Sequence, residues 1–422
     1  MLSEKVVRIG FGVLVTIWLA RYLGPLQFGK LSFAISFVAL FGILSTMGLD
    51  KFLAKELIAS PDQKNLIMGS ALTLRVIGGV VLVFFAISIA HIIRPEDKEF
   101  ILLVMILSSG FIFNSFEVIK YWFESVVEAK YSAIVDASVV LVGSITKVAL
   151  IMSEAPLIAF GWVVFLESTV LGLGLIIMYR SRGNTFFDWK CSSKTVYRLL
   201  KRAFPLVLAG AVFILFTRID QVMLGSISGD SAVGIYAAAV RLSEGWMFVP
   251  ALIATSLFPA MIDARAKNHN IYIEQTQHLL NLMVLFSVFV AVFFTFISSP
   301  FIRFSFGETY AETSLVLSIH IWGMIFNTIS IISFRWFLIQ GLEIYSFYRA
   351  LAGLIINVGL NFLIIPLYGA AGAAVATVIS QIIAAYILNY VSPKTRNMFL
   401  MQSKALSLKY SLESILYLRR IK

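Results

Sequence analysis

The chain has 422 residues, of which 59% are hydrophobic and 14% are charged, and its mean hydropathy is +0.90. A water-soluble fold cannot bury so large an apolar fraction, so the composition excludes a soluble protein and indicates an integral membrane protein. The formal net charge of +11 requires no nucleic acid as a partner, because anionic lipid head groups commonly oppose the cations of membrane loops.

Long apolar runs recur along the whole sequence, and each is long enough to cross a membrane as a helix. Their continuous apolar character favours helices over the alternating strands of a barrel. We therefore predict an all-α integral membrane protein with about twelve transmembrane helices. The runs cover residues 5–23, 26–48, 66–93, 99–122, 131–152, 156–179, 203–227, 232–260, 278–302, 313–339, 345–366 and 368–391.

The first two runs are separated by the polar stretch RYLGPLQFGK, residues 21–30. Gly24 and Pro25 are expected to end one helix, and a tight turn then precedes the next. Arg21 either extends to outer-leaflet phosphates or helps an anionic head group to leave. The first run begins close to Met1, and its length favours a retained helix over a cleaved secretory signal.

One long polar segment, residues 180–202, lies near the middle of the chain and suggests two pseudo-symmetric halves. The stretch LGPLQFGKLSFAISF after the first run is similar to LGSISGDSAVGIYAAAV after the seventh. Such a repeat indicates halves related by an axis along the membrane normal. The predicted parts are a six-helix half at 1–180, a basic loop at 181–202, a second six-helix half at 203–392 and a basic amphipathic tail at 393–422.

Most Lys and Arg residues fall on one side of this topology, seven of them between residues 180 and 202. Positive charge collects in cytoplasmic loops, so both termini are predicted to be cytoplasmic. The single cysteine, Cys191, lies in the same basic loop, which leaves no disulfide and no thiolate metal cluster. The other side carries only Arg21, Lys30, Arg94, Lys98 and Arg303.

Three motifs together resemble the signature of polysaccharide flippases. They are ARYLGPLQFGKLSFAISFVALFGILSTMGLDKFLAKEL (20–57), TRIDQVMLG (217–225) and VGIYAAAVRLSEGWMFVPALIATSLFPAM (233–261). These flippases belong to the multidrug/oligosaccharidyl-lipid/polysaccharide exporter superfamily, abbreviated MOP below. NFLIIPLYGAAGAAVATVISQ is also similar to the family's eleventh and twelfth helices, so the resemblance extends over nearly the whole chain.

The resemblance implies a transporter in the cytoplasmic (inner) membrane of a bacterium or archaeon. It would flip polyprenyl-pyrophosphate-linked oligosaccharide repeat units, as in O-antigen and lipopolysaccharide assembly, to the outer leaflet. Its two halves would open alternately around a central cavity. Its expected partners are the lipid-linked glycan, membrane lipid and other polysaccharide-assembly proteins, without a cofactor, a metal or nucleic acid.

Cations inside the apolar runs are candidate substrate-binding groups, because intramembrane charge is costly and marks functional sites. In the family the first, second, seventh and eighth helices border the cavity, which favours three of the five cations. Arg335 and Arg349, closer to a boundary, are expected to extend to the interface. The favoured cations are Arg8, Arg218 and Arg241, and the other two are Arg75 and Lys147.

Intramembrane carboxylates leave an alternative open, because they could neutralise these cations as internal ion pairs. Glu244 lies three residues after Arg241 on the same helix face. Three other carboxylates are also candidate binders of a coupling proton or sodium ion, with structural pairing as the alternative. They are Asp136, Glu167 and Asp220.

Two other functions are alternatives to the flippase. A glycan polymerase or ligase would need a large catalytic loop on the outer face, and the four scattered histidines form no metal or nucleophile constellation, so the chain is not expected to be an enzyme. No Walker-type phosphate loop is present, so nucleotide hydrolysis by that route is not expected. A drug/cation antiporter of the same superfamily would favour an acidic cavity, whereas the candidate charges here are mostly basic. Aromatic residues at 111–125 and 334–340 either stack on sugars or pack between helices.

Overall fold

The structure is a computed structural model that describes residues 2–407 and 409–410, without the side chains of 2–9, 11 and 51. Throughout these residues the regular structure is helical, with no strand. Ten helical segments are long and apolar enough to cross a membrane. The predicted all-α membrane fold is confirmed.

The first compact unit comprises residues 1–222 and the second comprises residues 223–422. The boundary falls inside a long helix, α9. Helices of the first unit are α1 (Leu2–Leu40), α2 (Gly42–Thr46), α3 (Leu53–Ala59), α4 (Lys64–Ile93), α5 (Lys98–Phe113), α6 (Val118–Ser125), α7 (Lys130–Met152), α8 (Leu157–Ser181) and α9 (Ser193–Ile227).

The second unit continues after α9 and ends in a short helix beyond the last apolar run. A π-helical turn, Ile383–Ile387, follows its longest helix directly. Its helices are α10 (Asp230–Glu244), α11 (Phe248–Lys267), α12 (His269–Ser305), α13 (Thr313–His320), α14 (Gly323–Gln340), α15 (Glu343–Ile382), α16 (Leu388–Val391) and α17 (Arg396–Leu406).

Two glycines divide the longest elements into pairs of helices. Gly24 in α1 has φ 69° and ψ 170°, and Gly369 in α15 has φ 53° and ψ −129°. Neither conformation is helical, and residues with a Cβ rarely adopt them. A proline precedes or follows each glycine closely, as Pro25 and Pro366. Dividing α1 and α15 at these points turns the ten spans into about twelve helices, as the apolar runs predict.

Three apolar runs that the sequence presents as continuous are interrupted in the structure. A 3₁₀ turn, Asn114–Glu117, separates α5 from α6. Residues 245–247 separate α10 from α11, and residues 321–322 separate α13 from α14. Pro250 accounts for the second break, because its ring clashes with the carbonyl group four residues earlier. The second and third breaks consist of the largely apolar residues 245–247 and 321–322, so hydropathy does not reveal them, whereas the first contains Asn114, Ser115 and Glu117.

Each unit has its own apolar core. In the first unit, Trp122 and Phe123 of α6 pack with Tyr179 of α8 and with α9. In the second unit, Met398 and Met401 of α17 pack with α12 and α14. The apolar face of α17 is therefore covered by protein, although the sequence suggests a tail on the lipid surface. Residues 408 and 411–422 of that predicted tail lie outside the described residues.

Candidate functional site

Among the cations of the first unit whose side chains the structure describes, Arg75 on α4 is the most deeply buried, with 1% of its side chain exposed. Its Nη2 donates to Glu117 Oε2 at 2.7 Å. Glu117 is the last residue of the 3₁₀ turn that interrupts the predicted helix 99–122. An intramembrane ion pair therefore joins α4 to the break between α5 and α6.

The ion pair continues into a chain of alternating charges. Lys120 Nζ, on α6, lies 3.4 Å from Glu117 Oε1 and 2.7 Å from Asp136 Oδ1 on α7. Four charges of alternating sign thus connect α4, α6 and α7. We name Arg75, Glu117, Lys120 and Asp136 the charge chain. Pairing offsets part of the desolvation cost of each charge, and removing one member leaves its neighbour uncompensated.

Several buried polar atoms near this turn have no hydrogen-bond partner in the described part of the chain. Two belong to the Arg75 guanidinium, Nε and Nη1, and two belong to the 3₁₀ turn, Asn114 Oδ1 and Ser115 Oγ. A buried donor without a partner is costly, so groups of this kind mark places with a role besides packing. Arg75 retains spare donors, but its burial keeps them from solvent in this conformation.

A second ion pair joins α7 to α8. Lys147 Nζ donates to Glu167 Oε1 at 2.7 Å. The Glu167 side chain lies in the space that a Cβ on Gly143 would occupy, so the glycine allows the carboxylate to pass across α7. This close approach is what places Glu167 one helical turn from Lys147, and a larger residue at 143 would push the carboxylate away.

The motif TRIDQV lies on α9, in the part that belongs to the first unit. Arg218 is partly buried and Asp220 is buried. The neighbouring Gln221 accepts a hydrogen bond from Ser36 Oγ of α1 at 2.5 Å. The hydrogen bond between Gln221 and Ser36 therefore joins the motif to the part of α1 that follows Gly24. Gln221 was not among the candidate site residues predicted from the sequence.

Arg241 and Glu244 lie in the last turn of α10, in the second unit. The side chain of Arg241 is exposed, and that of Glu244 is partly buried. Arg8 belongs to α1, and its side chain lies outside the described residues. The structure therefore brings Arg75 near Asp136 through two residues that the sequence did not propose, Glu117 and Lys120. The sequence does indicate Glu117 and Lys120, because each is a charged residue inside an apolar run.

Two arginines of the second unit, Arg335 and Arg349, have different surroundings. Arg335 is partly buried and donates from Nη2 to Thr255 Oγ1 at 3.1 Å. Arg349, expected near the interface, is instead 7% exposed, and its Nη1 donates to Asn389 Oδ1 at 3.0 Å. The guanidinium also lies 4.5 Å from the centre of the Phe337 ring. Arg349 is a packed core residue because Phe337 of α14 and Asn389 of α16 enclose it.

Of the aromatic residues in the two stretches noted in the sequence, four are buried in the two cores and pack between helices, namely Trp122, Phe123, Trp336 and Phe337. Phe334 is exposed and therefore remains available for contact with another molecule.

The sequence model of the family described as "Polysaccharide biosynthesis protein" matches residues 2–265, more than half of the chain. The chain belongs to this family. A second family model, MatE, matches residues 205–363. An uncharacterized membrane protein of Methanocaldococcus jannaschii is 27% identical over 222 residues, which are 50% of this chain and 51% of that protein. The match thus spans about half the length of that relative.

Solved structures share the fold of this polysaccharide biosynthesis family member at low sequence identity. An inward-facing multidrug resistance MATE family transporter of the MOP superfamily has a TM-score of 0.74 and 15% identity, over 94% of this chain and 96% of its own. The lipid II flippase MurJ, in an inward closed conformation, has a TM-score of 0.74 and 16% identity, over 98% and 95%.

A MOP superfamily transporter from Pyrococcus furiosus, whose description gives its binding pocket a reverse polarity, has a TM-score of 0.59 and 13% identity, over 96% of each chain. The predicted resemblance to MOP superfamily flippases is confirmed, and the fold is the one that these solved MOP superfamily structures share.

Proposed function

We propose that this chain flips polyprenyl-pyrophosphate-linked oligosaccharide repeat units from the inner to the outer leaflet of a bacterial or archaeal cytoplasmic membrane. It acts by alternating access, with both termini in the cytoplasm. The product supplies cell-surface polysaccharide assembly of the O-antigen type. The polysaccharide biosynthesis family match over residues 2–265 supports this substrate class.

The observation that carries the proposal is the exposure of Arg241 within a candidate membrane span, Asp230–Lys267. At 1.5 Å per residue, it lies about 16 Å along α10 from Asp230. A charge at that depth avoids hydrocarbon, because contact with lipid costs about 2.5–3.5 kcal/mol on insertion scales. An exposed Arg241 therefore faces water or substrate, and a pyrophosphate is a fitting anion for it.

The transport problem explains why cations are needed. A hydrated sugar chain and roughly two negative charges must cross about 30 Å of hydrocarbon. Fixed cations lower this barrier, and an inside-negative potential contributes about 2.3 kcal/mol per exported charge per 100 mV. We propose Arg8, Arg218 and Arg241 as groups that contact the anion directly.

Arg75 and Lys147 contribute differently in this proposal, because each is already paired with a carboxylate. They bind the anion only in a conformation in which those pairs separate. Glu167, the partner of Lys147, and Asp136, the partner of Lys120 in the charge chain, are then available to bind a coupling proton or sodium ion. Asp220, buried on α9, is the third candidate for this role.

The test uses vesicles that contain the purified chain and a fluorescent polyprenyl-pyrophosphate glycan. Arg241→Ala should lower the flipping rate at least tenfold, and Arg241→Lys should retain more, because a point charge still attracts phosphate. Arg265→Ala removes another exposed arginine, in the last turn of α11, and is the matched control. Full transport by the Arg241→Ala variant would show that Arg241 does not contact the substrate.

Glu244 provides the competing explanation, in which Arg241 serves an ion pair within α10. In that case Arg241→Ala lowers the amount of folded protein, and adding Glu244→Gln restores amount and transport together. Normal abundance with lost flipping identifies substrate contact instead. Membrane abundance and flipping are therefore measured on the same vesicles.

A drug/cation antiporter is the second candidate function, and the MatE match over residues 205–363 favours it. The same vesicles test it directly when they are loaded with an organic cation under an imposed proton or sodium gradient. Gradient-driven cation movement without glycan flipping would replace the flippase proposal.

A further inference from the structure

Two helix breaks of the second unit are joined by one buried hydrogen bond. α10 ends at Glu244 and α13 ends at His320, and both breaks lie within candidate membrane spans. Ser243 Oγ lies 2.7 Å from His320 Nδ1. Ser243 is fully buried and His320 is 4% exposed, so the bond is shielded from water. The contact therefore lies at the points where both helices change course.

Ser243 has a second hydrogen-bond partner, and this bond determines which tautomer of His320 can bind the serine. Ser243 Oγ donates to the carbonyl oxygen of Val240 at 3.1 Å. A hydroxyl has one hydrogen, so with that hydrogen on Val240 the oxygen accepts from Nδ1–H. A neutral His320 in this tautomer has its basic lone pair on Nε2. His320 can therefore take up a proton at Nε2 without losing the bond to Ser243.

The surroundings of His320 do not favour the charged imidazolium. The Tyr236 ring contacts it edge-on, with ring centres 5.8 Å apart, and the Tyr236 hydroxyl is shared with Thr377 of α15 at 3.1 Å. Across the described residues, no carboxylate lies within 4.0 Å of His320. A proton on Nε2 would thus be uncompensated while the helices stay packed.

Four helices pack against α13, namely α10, α12, α14 and α15. Arg241 and Glu244 are the ionisable groups of α10 closest in sequence to Ser243, and Tyr236 is the one in contact with the imidazole. The remaining charged or titratable side chains on these four helices are Asp230 on α10, His269, Tyr272, Glu274, His278 and Arg303 on α12, Arg335 on α14, and Glu343, Tyr345, Tyr348, Arg349 and Tyr368 on α15.

We propose that His320 is a proton-binding site that links proton uptake to opening of the paired helix breaks at residues 245–247 and 321–322. In the packed arrangement the imidazole is neutral and holds α10 to α13 through Ser243. Protonation favours an arrangement in which Nε2–H reaches water. The inference rests on the proposed function and deepens it by naming a proton as the coupling ion.

The test needs no transport substrate. Backbone hydrogen exchange of the full chain in lipid nanodiscs is followed from pH 8 to pH 5.5 in segments 241–249 and 318–325, with rates corrected for their intrinsic pH dependence. A site that binds one proton only in the open arrangement increases opening by up to tenfold per pH unit. In the wild-type protein, the increase in opening per pH unit should approach this tenfold limit. His320→Asn, which keeps an amide near the Nδ1 position, should show no pH dependence of opening.

Two further variants keep the test decisive. Ser243→Ala should open both segments at every pH because it removes the bond, while His91→Asn, at an exposed histidine of α4, should match wild type. If His320→Asn yields too little folded protein, His320→Gln replaces it. A wild-type slope near zero, or a slope unchanged in the His320 variant, overturns the proposal.

Vesicle measurements separate this inference from the proposed function. A His320-dependent exchange slope without glycan flipping would leave the proton site standing and refute the flippase. Glycan flipping that is intact and driven by a pH gradient in His320→Asn would support the flippase and refute the proton site.

Discussion

Removing one partner of the Arg75–Glu117 pair should destabilise the protein far more than removing both. Arg75 is 1% exposed and Glu117 is 24% exposed, so a single loss leaves a largely desolvated charge. Breaking a buried pair costs about 3–5 kcal/mol, whereas replacing both partners with apolar residues is often close to neutral. The partial exposure of Glu117 favours the lower end, about 3 kcal/mol for Arg75→Met or Glu117→Met.

A double-mutant cycle measures this coupling. The two single variants and the double variant Arg75→Met with Glu117→Met are unfolded with denaturant in detergent, and the free energies of unfolding are compared. The exposed pair Lys267 and Asp263, one turn apart on α11, provides the matched control. An exposed pair of this spacing contributes only about 0.3–0.5 kcal/mol. Lys120 is left unchanged in every variant.

Two outcomes would refute the reasoning. If the Arg75 variants lose no more stability than the Lys267 variants, the guanidinium is not a desolvated charge in the native protein. If the double variant is as unstable as the two single losses added together, Arg75 and Glu117 do not interact. The double variant also separates transport from folding, because a stable protein that no longer flips glycan would assign Arg75 a direct role in transport.

Three further predictions concern separate parts of the first unit. Reversing the pair, as Lys147→Glu with Glu167→Lys, should restore most of the stability that either single reversal removes, as measured by thermal unfolding; no restoration would mean that the two side chains do not meet. Gly24→Ala should cost about 1–3 kcal/mol because φ is positive there, whereas Gly12→Ala on the same helix should be neutral or slightly stabilising, and equal effects would contradict the kink. Cys191, which is exposed, should react in intact cells only with thiol reagents that enter the cytoplasm, and labelling by an impermeant reagent from outside would reverse the predicted topology.

The sequence by itself determined the class of protein and most of its helices. Whether a run is apolar and long enough to cross a membrane depends only on its own residues and not on which helices pack beside it. Run lengths near 20 residues were therefore sufficient to predict an all-α membrane protein. The break at Gly24 follows the same logic, because a glycine beside a proline ends a helix through local backbone chemistry. The flippase motifs likewise identified the family without a structure.

Only the tertiary structure decided which charges meet. Arg75 and Glu117 are 42 residues apart, and Lys147 and Glu167 are 20 apart, so no local rule pairs them. Their partners depend on which helices pack together and on where a break such as Asn114–Glu117 turns a side chain. Arg349 shows the same dependence, since its distance from a predicted membrane boundary does not reveal that Asn389 and Phe337 enclose it. Hydropathy is a sum over single residues, whereas a buried charge is stabilised by groups that the chain brings together from distant positions.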